Sequence, residues 1–427
     1  MPSQEEEDKG SEPGSAGASR FLRVRTALLV LWPAVLLIFL AFAACEFKTE
    51  ARVNEQAVVA QPARADAPPV EDPPPSQEEA RVSAAEARAR ELTDAARFFA
   101  GMPVDERSDF SGLTGSDIWE CNARRTEALW DGFPKVRARM EAWAKRELTA
   151  VFDPTAPLFY PFSGPDIVFP LIFFPCAREY ILIGLEPVGD VLRRRGLSPQ
   201  RLDEMLSTCA VAVQDLVRLS FYRTKVMEPE FSETALRGVL PVLMVSLARM
   251  GMDVLEVERG DLDEGGAFVP LDEDSPESAS AVRVEFRKAG EVAVQSLTYF
   301  SSDLSNGGLK KEPAFAAYLA NAGRCFTFLK SASYLCRKSY FSRIRKAILD
   351  KSYAVLQDDS GLAFASFVPE TWKVSLYGTY DGPVKLFEDH FEQDLWEAMK
   401  NGAKPLNFRF GYSRASCLTL AAKKSRN

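Results

Sequence analysis

The polar tetrad 163-SGPD-166 stands between two apolar runs, LFYPF and IVFPLIFFP, as a loop at the end of a buried strand would. A glycine there bares backbone N–H groups to a ligand. Asp166 lies twenty positions before Glu186, which follows the next apolar run, YILIGL. In dinucleotide-binding folds the loop after the first strand approaches the ligand, and an acidic residue about 20 positions on accepts from ribose hydroxyls. Ser163, Gly164, Asp166 and Glu186 are therefore candidate binding residues, and they fit a Rossmann-like transferase of S-adenosylmethionine-methyltransferase type. Against this, the loop has one glycine and no G-x-G-x-x-G, and Pro170 and Pro175 make the crossing segment a poor helix. The plainer reading is a bend at Gly164-Pro165, with Asp166 capping a short turn.

Other clusters invite the same comparison. Ser163, Asp358 or Asp359, and His390, the single histidine, run in the chain order of a hydrolase triad. The flanks of Ser163 are Pro161 and Pro165 instead of the small residues a nucleophile elbow needs, and His390 is expected on a solvated helix face. In 301-SSDLSNGGLKK-311, Asp303, Ser305 and Asn306 could hold a cation or sugar, but the calcium-loop spacing is missing and Asn-Gly-Gly signals a turn. Lys330, at the end of an apolar run, could bind an anion or reach solvent. It precedes Ser331, the reverse of the S-x-x-K order. Asp358-Asp359-Ser360-Gly361 suits a four-residue hairpin turn better than an acid–base pair. No cysteine–histidine spacing suits zinc, so neither metal nor cofactor is expected.

The elements that must position these residues alternate early and pair late. Ser83 to Glu86 reads as a capping box opening a helix over 84–100. Further helices are expected near 116–131, 135–149, 198–223 and 232–251, with strands at 158–162, 180–185 and 253–258. A hairpin joins 282–287 to 292–300, and a second is expected from 353–357 and 362–367. Helices near 312–321, 339–350 and 387–400 and strands at 407–412 and 417–422 complete the chain. The sum is an α/β body, or mixed α+β, with a central mixed sheet, flanking helices and a helical N-terminal layer.

Of the 427 residues, 46% are hydrophobic and 26% charged, as in a folded soluble body. A formal net charge of −8 gives no cationic face for phosphates, so nucleic acid is not an expected partner. Residues 1–19 are acidic and rich in Gly and Ser, a disordered tail. Arg20, Arg23 and Arg25 then precede Thr26 to Ala44, nineteen residues without a charge, long enough to cross a hydrocarbon core of roughly 30 Å. The arginines keep the tail cytoplasmic and place the rest outside, in the periplasm of a bacterial inner membrane. Cys45 after Phe-Ala-Ala is an alternative lipid-anchor site. Residues 46–82, with six prolines between Pro62 and Pro75, read as a disordered spacer before a body over 83–427. The remaining six cysteines are expected to be mostly buried free thiols.

Taken together, FYPFSGPD, YILIGLEPVG, YFSSDLSNGG, LKSASYL and LQDDSG resemble a group of uncharacterised bacterial proteins that are secreted or envelope-anchored. The resemblance covers about 155–425 and implies a shared fold and location, with no activity to carry over. The sequence thus points to an envelope-anchored protein that binds an envelope component or small ligand, or serves an assembly there.

Overall fold

Leu158 and Tyr160 turn their side chains to one apolar cluster, while Phe159 between them joins another. That period of two, repeated on neighbouring strands, makes the sheet the middle of three layers. The computed structural model describes residues 77–194, 197–219, 238–272, 278–412 and 416–424, within the unit Pro73–Asn427. The acidic tail, the apolar run 26–44, Cys45 and the proline-rich stretch lie outside these residues. No helix among the described residues is long and apolar enough to cross a membrane.

The described strands are β1 (Leu158–Tyr160), β2 (Glu179–Gly184), β3 (Met252–Leu262), β4 (Phe268–Pro270), β5 (Ala281–Lys288), β6 (Val294–Ser301), β7 (Cys325–Leu329), β8 (Ser352–Gln357), β9 (Trp372–Gly378) and β10 (Cys417–Lys423). They form one mixed sheet in the order β4-β3-β5-β6-β2-β1-β7-β8-β10-β9. The centre, β6-β2-β1-β7-β8, is parallel throughout. Antiparallel pairs extend it at both edges.

One face carries α1 (Gln77–Phe99), α3 (Phe133–Glu147), α4 (Val168–Phe173), α5 (Pro199–Leu219) and α6 (Leu240–Arg249), with α2 (Asp117–Trp130) outside them. The expected flanking helices are thus present, and the N-terminal α1 and α3 share their face with α4, α5 and α6. Trp143 of α3 meets Phe173 and Tyr377 edge-on at 5.8 and 5.0 Å, pairs worth about 0.5–1.5 kcal/mol each beyond area burial. The other face carries α7 (Gly308–Lys311), α8 (Pro313–Asn321) and α9 (Ser342–Lys351), through Leu309, Phe315, Leu319, Ile344 and Ile348. Near β9 lies α10 (Gln393–Gly402).

Several expectations need correction. The helix α1 starts at Gln77, ahead of the Ser83 capping box. The crossing segment does form a helix, α4: Pro170 is its third residue, where the missing N–H would have had no intrahelical partner. No hairpin joins 353–357 to 362–367; β8 pairs with β7 and β10, and Phe364–Ser366 is a 3-10 turn. The edge strand is instead Trp372–Gly378, while 407–412 is not a strand and His390 ends a 3-10 segment, Lys385–His390.

Candidate functional site

Taken in chain order, the parallel strands β1, β2, β6, β7 and β8 stand in the sheet as 3-2-1-4-5. The direction of winding reverses between β1 and β7, and in open α/β sheets ligands lie outside the carboxyl ends of the strands at such a point. A crevice of about 370 Å³ opens there, lined by the loops that leave β1, β2, β6 and β7, with Tyr412 as one wall. Ser163, Gly164, Asp166, Glu186, Asp303 and Lys330 all line it. Asn306 does not: its side chain accepts from the Arg343 N–H and donates to Ser339 O and Ser342 Oγ, capping α9.

Lys330 and Asp166 form a buried ion pair at 2.7 Å, with side chains 1% and 2% exposed. Asp166 also accepts from the Tyr160 hydroxyl at 3.1 Å and from the Phe169 N–H at 3.2 Å, so it does fasten the first turn of α4. Burial, and then the Asp166 charge, push the Tyr160 hydroxyl well above its ordinary pKa, so it stays a donor. The Lys330 ammonium lies 4.0 Å from the centre of the Phe169 ring.

Glu186 is 2% exposed and sits beneath the β1 loop. A Cβ on Gly164 would lie 3.7 Å from both its carboxylate oxygens, and one on Gly184 only 2.5 Å from Oε2. Tyr299 of β6 donates its hydroxyl to the Glu186 carbonyl at 2.9 Å and approaches Oε2 at 3.4 Å. Asp303 accepts from the N–H and hydroxyl of Ser305.

The Ser163 hydroxyl is committed to backbone: it accepts from the Ile183 N–H at 3.0 Å and lies 3.0 Å from the Gly164 carbonyl and 3.2 Å from the Ile183 carbonyl. It thus extends the β1–β2 pairing by one rung, and its described bonds do not reach His390. His390 stacks on Tyr334 at 4.8 Å. Burial, followed by Lys338 and Arg337, pulls the His390 pKa down. These residues do not assemble a nucleophile and its base.

The β7 loop is strained. Phe162, Ser331, Ser333 and Tyr334 are the non-glycine residues of positive φ among those described, at 62, 54, 52 and 58°, and the first three line the crevice. Such conformations cost about 1–3 kcal/mol each and persist only where the surroundings hold them. Here Asp358 accepts from the Ser331 N–H at 2.9 Å, Ser360 Oγ from the Ala332 N–H at 2.7 Å, and Asp359 from the Tyr334 hydroxyl. The Asp-Asp-Ser-Gly segment is therefore a buttress beneath the β7 loop, not a hairpin turn. Burial raises the pKa of both aspartates, and for Asp359 the neighbouring Asp358 charge adds to it.

Sequence reasoning missed Tyr299, Gly184 and Tyr412 at this site. The first two look like ordinary strand residues, and Tyr412 arrives from the far end of the chain to accept or donate at Ser333 and to donate to the Ser331 carbonyl. No protein family, curated protein or solved structure matches this chain. Among the described residues no group of three or more His, Cys, Asp or Glu could hold a metal ion. What the crevice offers is selective polar binding: buried carboxylates, one ammonium and hydroxyls above an apolar wall.

Proposed function

We propose that this chain is a membrane-tethered binding protein of the bacterial envelope, whose body holds a small polar ligand in the crevice at the carboxyl ends of β1, β2, β6 and β7. The observation that carries the reading is that Asp166, Glu186 and Lys330 are at most 2% exposed and yet line an open crevice. Apolar side chains of similar volume would serve the core at least as well as a buried ion pair. Charges kept there, among strained backbone, suit a ligand better than a core. Tethering rests on the uncharged run 26–44 behind Arg20, Arg23 and Arg25, with lipid at Cys45 as the other means.

The test is a thermal-shift screen of the full chain in detergent against nucleosides, S-adenosylmethionine, amino acids and glycans. A stabilising ligand whose effect disappears in Glu186→Ala supports the reading. Stabilisation that Glu186→Ala leaves intact would place binding elsewhere and end it.

A transferase of S-adenosylmethionine-methyltransferase type is favoured by one further observation. Leaving aside β4, β3 and β5, which extend one edge, and counting β9 and β10 as sixth and seventh, the remaining strands read 3-2-1-4-5-7-6 with the seventh strand reversed. The 3-2-1-4-5 centre follows the Rossmann order, and Glu186 follows the second strand of it, where an acidic residue would accept from ribose hydroxyls. The single glycine in the β1 loop departs from the type. Saturable binding of S-adenosylmethionine, lost in Glu186→Ala, would carry this reading.

A further inference from the structure

Two walls of the crevice differ in the groups they present, a contrast that rests on reading the crevice as a ligand site. On the β7 side, Lys330 Nζ spends one hydrogen bond on Asp166, although an ammonium has three donors. Next to it the Ser331 Oγ is buried with no hydrogen-bond partner among the described residues. Both atoms can donate, and both belong to residues that line the crevice. On the β2 and β6 side stand the carboxylates of Glu186 and Asp303, groups that only accept when ionised. The same loops also give the crevice apolar surface: Phe162, Leu185, Leu304, Leu335 and Phe341.

We infer that the crevice takes a ligand with an α-amino-acid head group, its carboxylate on Lys330 and Ser331 and its ammonium toward Glu186 and Asp303. The apolar surface then receives the side chain. Net charge decides against the obvious rival, a phosphate ester. The charged lining residues are Asp166, Glu186, Asp303 and Lys330, three carboxylates against one ammonium. A doubly charged phosphate would meet a single cation already shared with Asp166, and net repulsion from the rest. A zwitterion places its carboxylate beside the ammonium and its own ammonium beside the carboxylates.

The test uses the full chain in detergent and calorimetric titration with L-tryptophan, L-phenylalanine, L-methionine and S-adenosylmethionine, which share the head group. Indole-3-propionate and 3-phenylpropionate lack its ammonium; tryptamine and phenethylamine lack its carboxylate. The expected result is that at least one intact amino acid binds, and that loss of either group weakens binding tenfold or more. Ser331→Ala, which removes only an unpartnered hydroxyl, is expected to weaken binding three- to tenfold without lowering the melting temperature. Glu186→Gln is expected to weaken it at least tenfold. No binding by any intact amino acid up to 10 mM, or equal binding by the truncated analogues, overturns the inference. If the analogues bind equally and Glu186→Gln still weakens them, the head-group assignment fails while the crevice remains the site. If Glu186→Gln and Ser331→Ala both change nothing, the crevice reading falls with it.

Discussion

The ion pair between Lys330 and Asp166 is the most consequential residue-level feature, because each partner is costly alone. Removing one leaves an uncompensated buried charge, which costs about 3–5 kcal/mol, whereas replacing both with apolar groups is often neutral. Lys330→Met is therefore expected to destabilise the body by about 3–5 kcal/mol, and Lys330→Met with Asp166→Leu to recover most of that loss. Urea unfolding of the single and double variants checks this; equal stability of the single variant and wild type would refute it. Gly184 poses a separate constraint. An added Cβ would lie 2.5 Å from Glu186 Oε2, 2.6 Å from the Tyr299 hydroxyl and 3.0 Å from Gly164 Cα. Gly184→Ala must push the carboxylate aside, so about 1–3 kcal/mol of stability should go, and any ligand seated on Glu186 should bind at least tenfold more weakly. A crystal structure of that variant with Glu186 unmoved would contradict it. At this scale the sequence told residue types well and orientation poorly. The run SGPD announced a polar loop, but nothing in it says that the Ser163 hydroxyl would be spent on Ile183.

At the scale of elements, the parallel core was legible where apolar runs were short and bounded by turn residues, as in β1, β2 and β7. Elements whose placement depends on distant partners were not. Leu362 to Phe367 is apolar enough for a strand, yet β8 already has β7 and β10 beside it, so no ladder position remains. The edge strand β9 is held from outside the sheet. Tyr377 donates to Glu147 Oε2 at 2.6 Å and Lys404 Nζ to the same oxygen at 3.0 Å, joining the end of α3 to β9. Burial raises the Glu147 pKa, but hydrogen bonds from Tyr377, Arg146 and Lys404 outweigh it and bring the carboxyl down to about 2. A carboxyl lowered in the folded state stabilises it above the unfolded pKa, about 4.5, and that stability goes as pH falls toward 2. Lys404 is 56% exposed, so solvent screening limits the contribution to about 1 kcal/mol. Glu147→Gln should accordingly be less stable than wild type by about 1 kcal/mol at pH 7, with the gap closing between pH 4.5 and 2. Chemical denaturation across that range checks it. A gap that widened on acidification would mean the carboxylate is not the stabilising form.

On the scale of the whole molecule, the two functional readings disagree about which side of the membrane the body occupies. A periplasmic body suits a ligand-binding role, whereas a transferase using S-adenosylmethionine needs the cytoplasmic supply. The cysteines can decide this without any fusion partner. Cys121 and Cys176 are free and exposed, whereas Cys209, Cys325, Cys336 and Cys417 are free and buried. Burial pushes the Cys209 and Cys336 thiols up to about 12, which further slows their reaction as thiolates. Among the described residues a membrane-impermeant maleimide therefore reads the location of two surface thiols against a background of buried ones, and Cys45→Ser removes the one cysteine outside them. With the body outside the cytoplasm, spheroplasts of the expressing bacterium should label the folded chain at Cys121 and Cys176. The triple variant Cys45→Ser, Cys121→Ser and Cys176→Ser should lose nearly all of that signal, and urea should restore labelling through the four buried thiols. Labelling of wild type only after lysis would place the body in the cytoplasm, overturn the envelope location and leave the transferase as the reading to pursue.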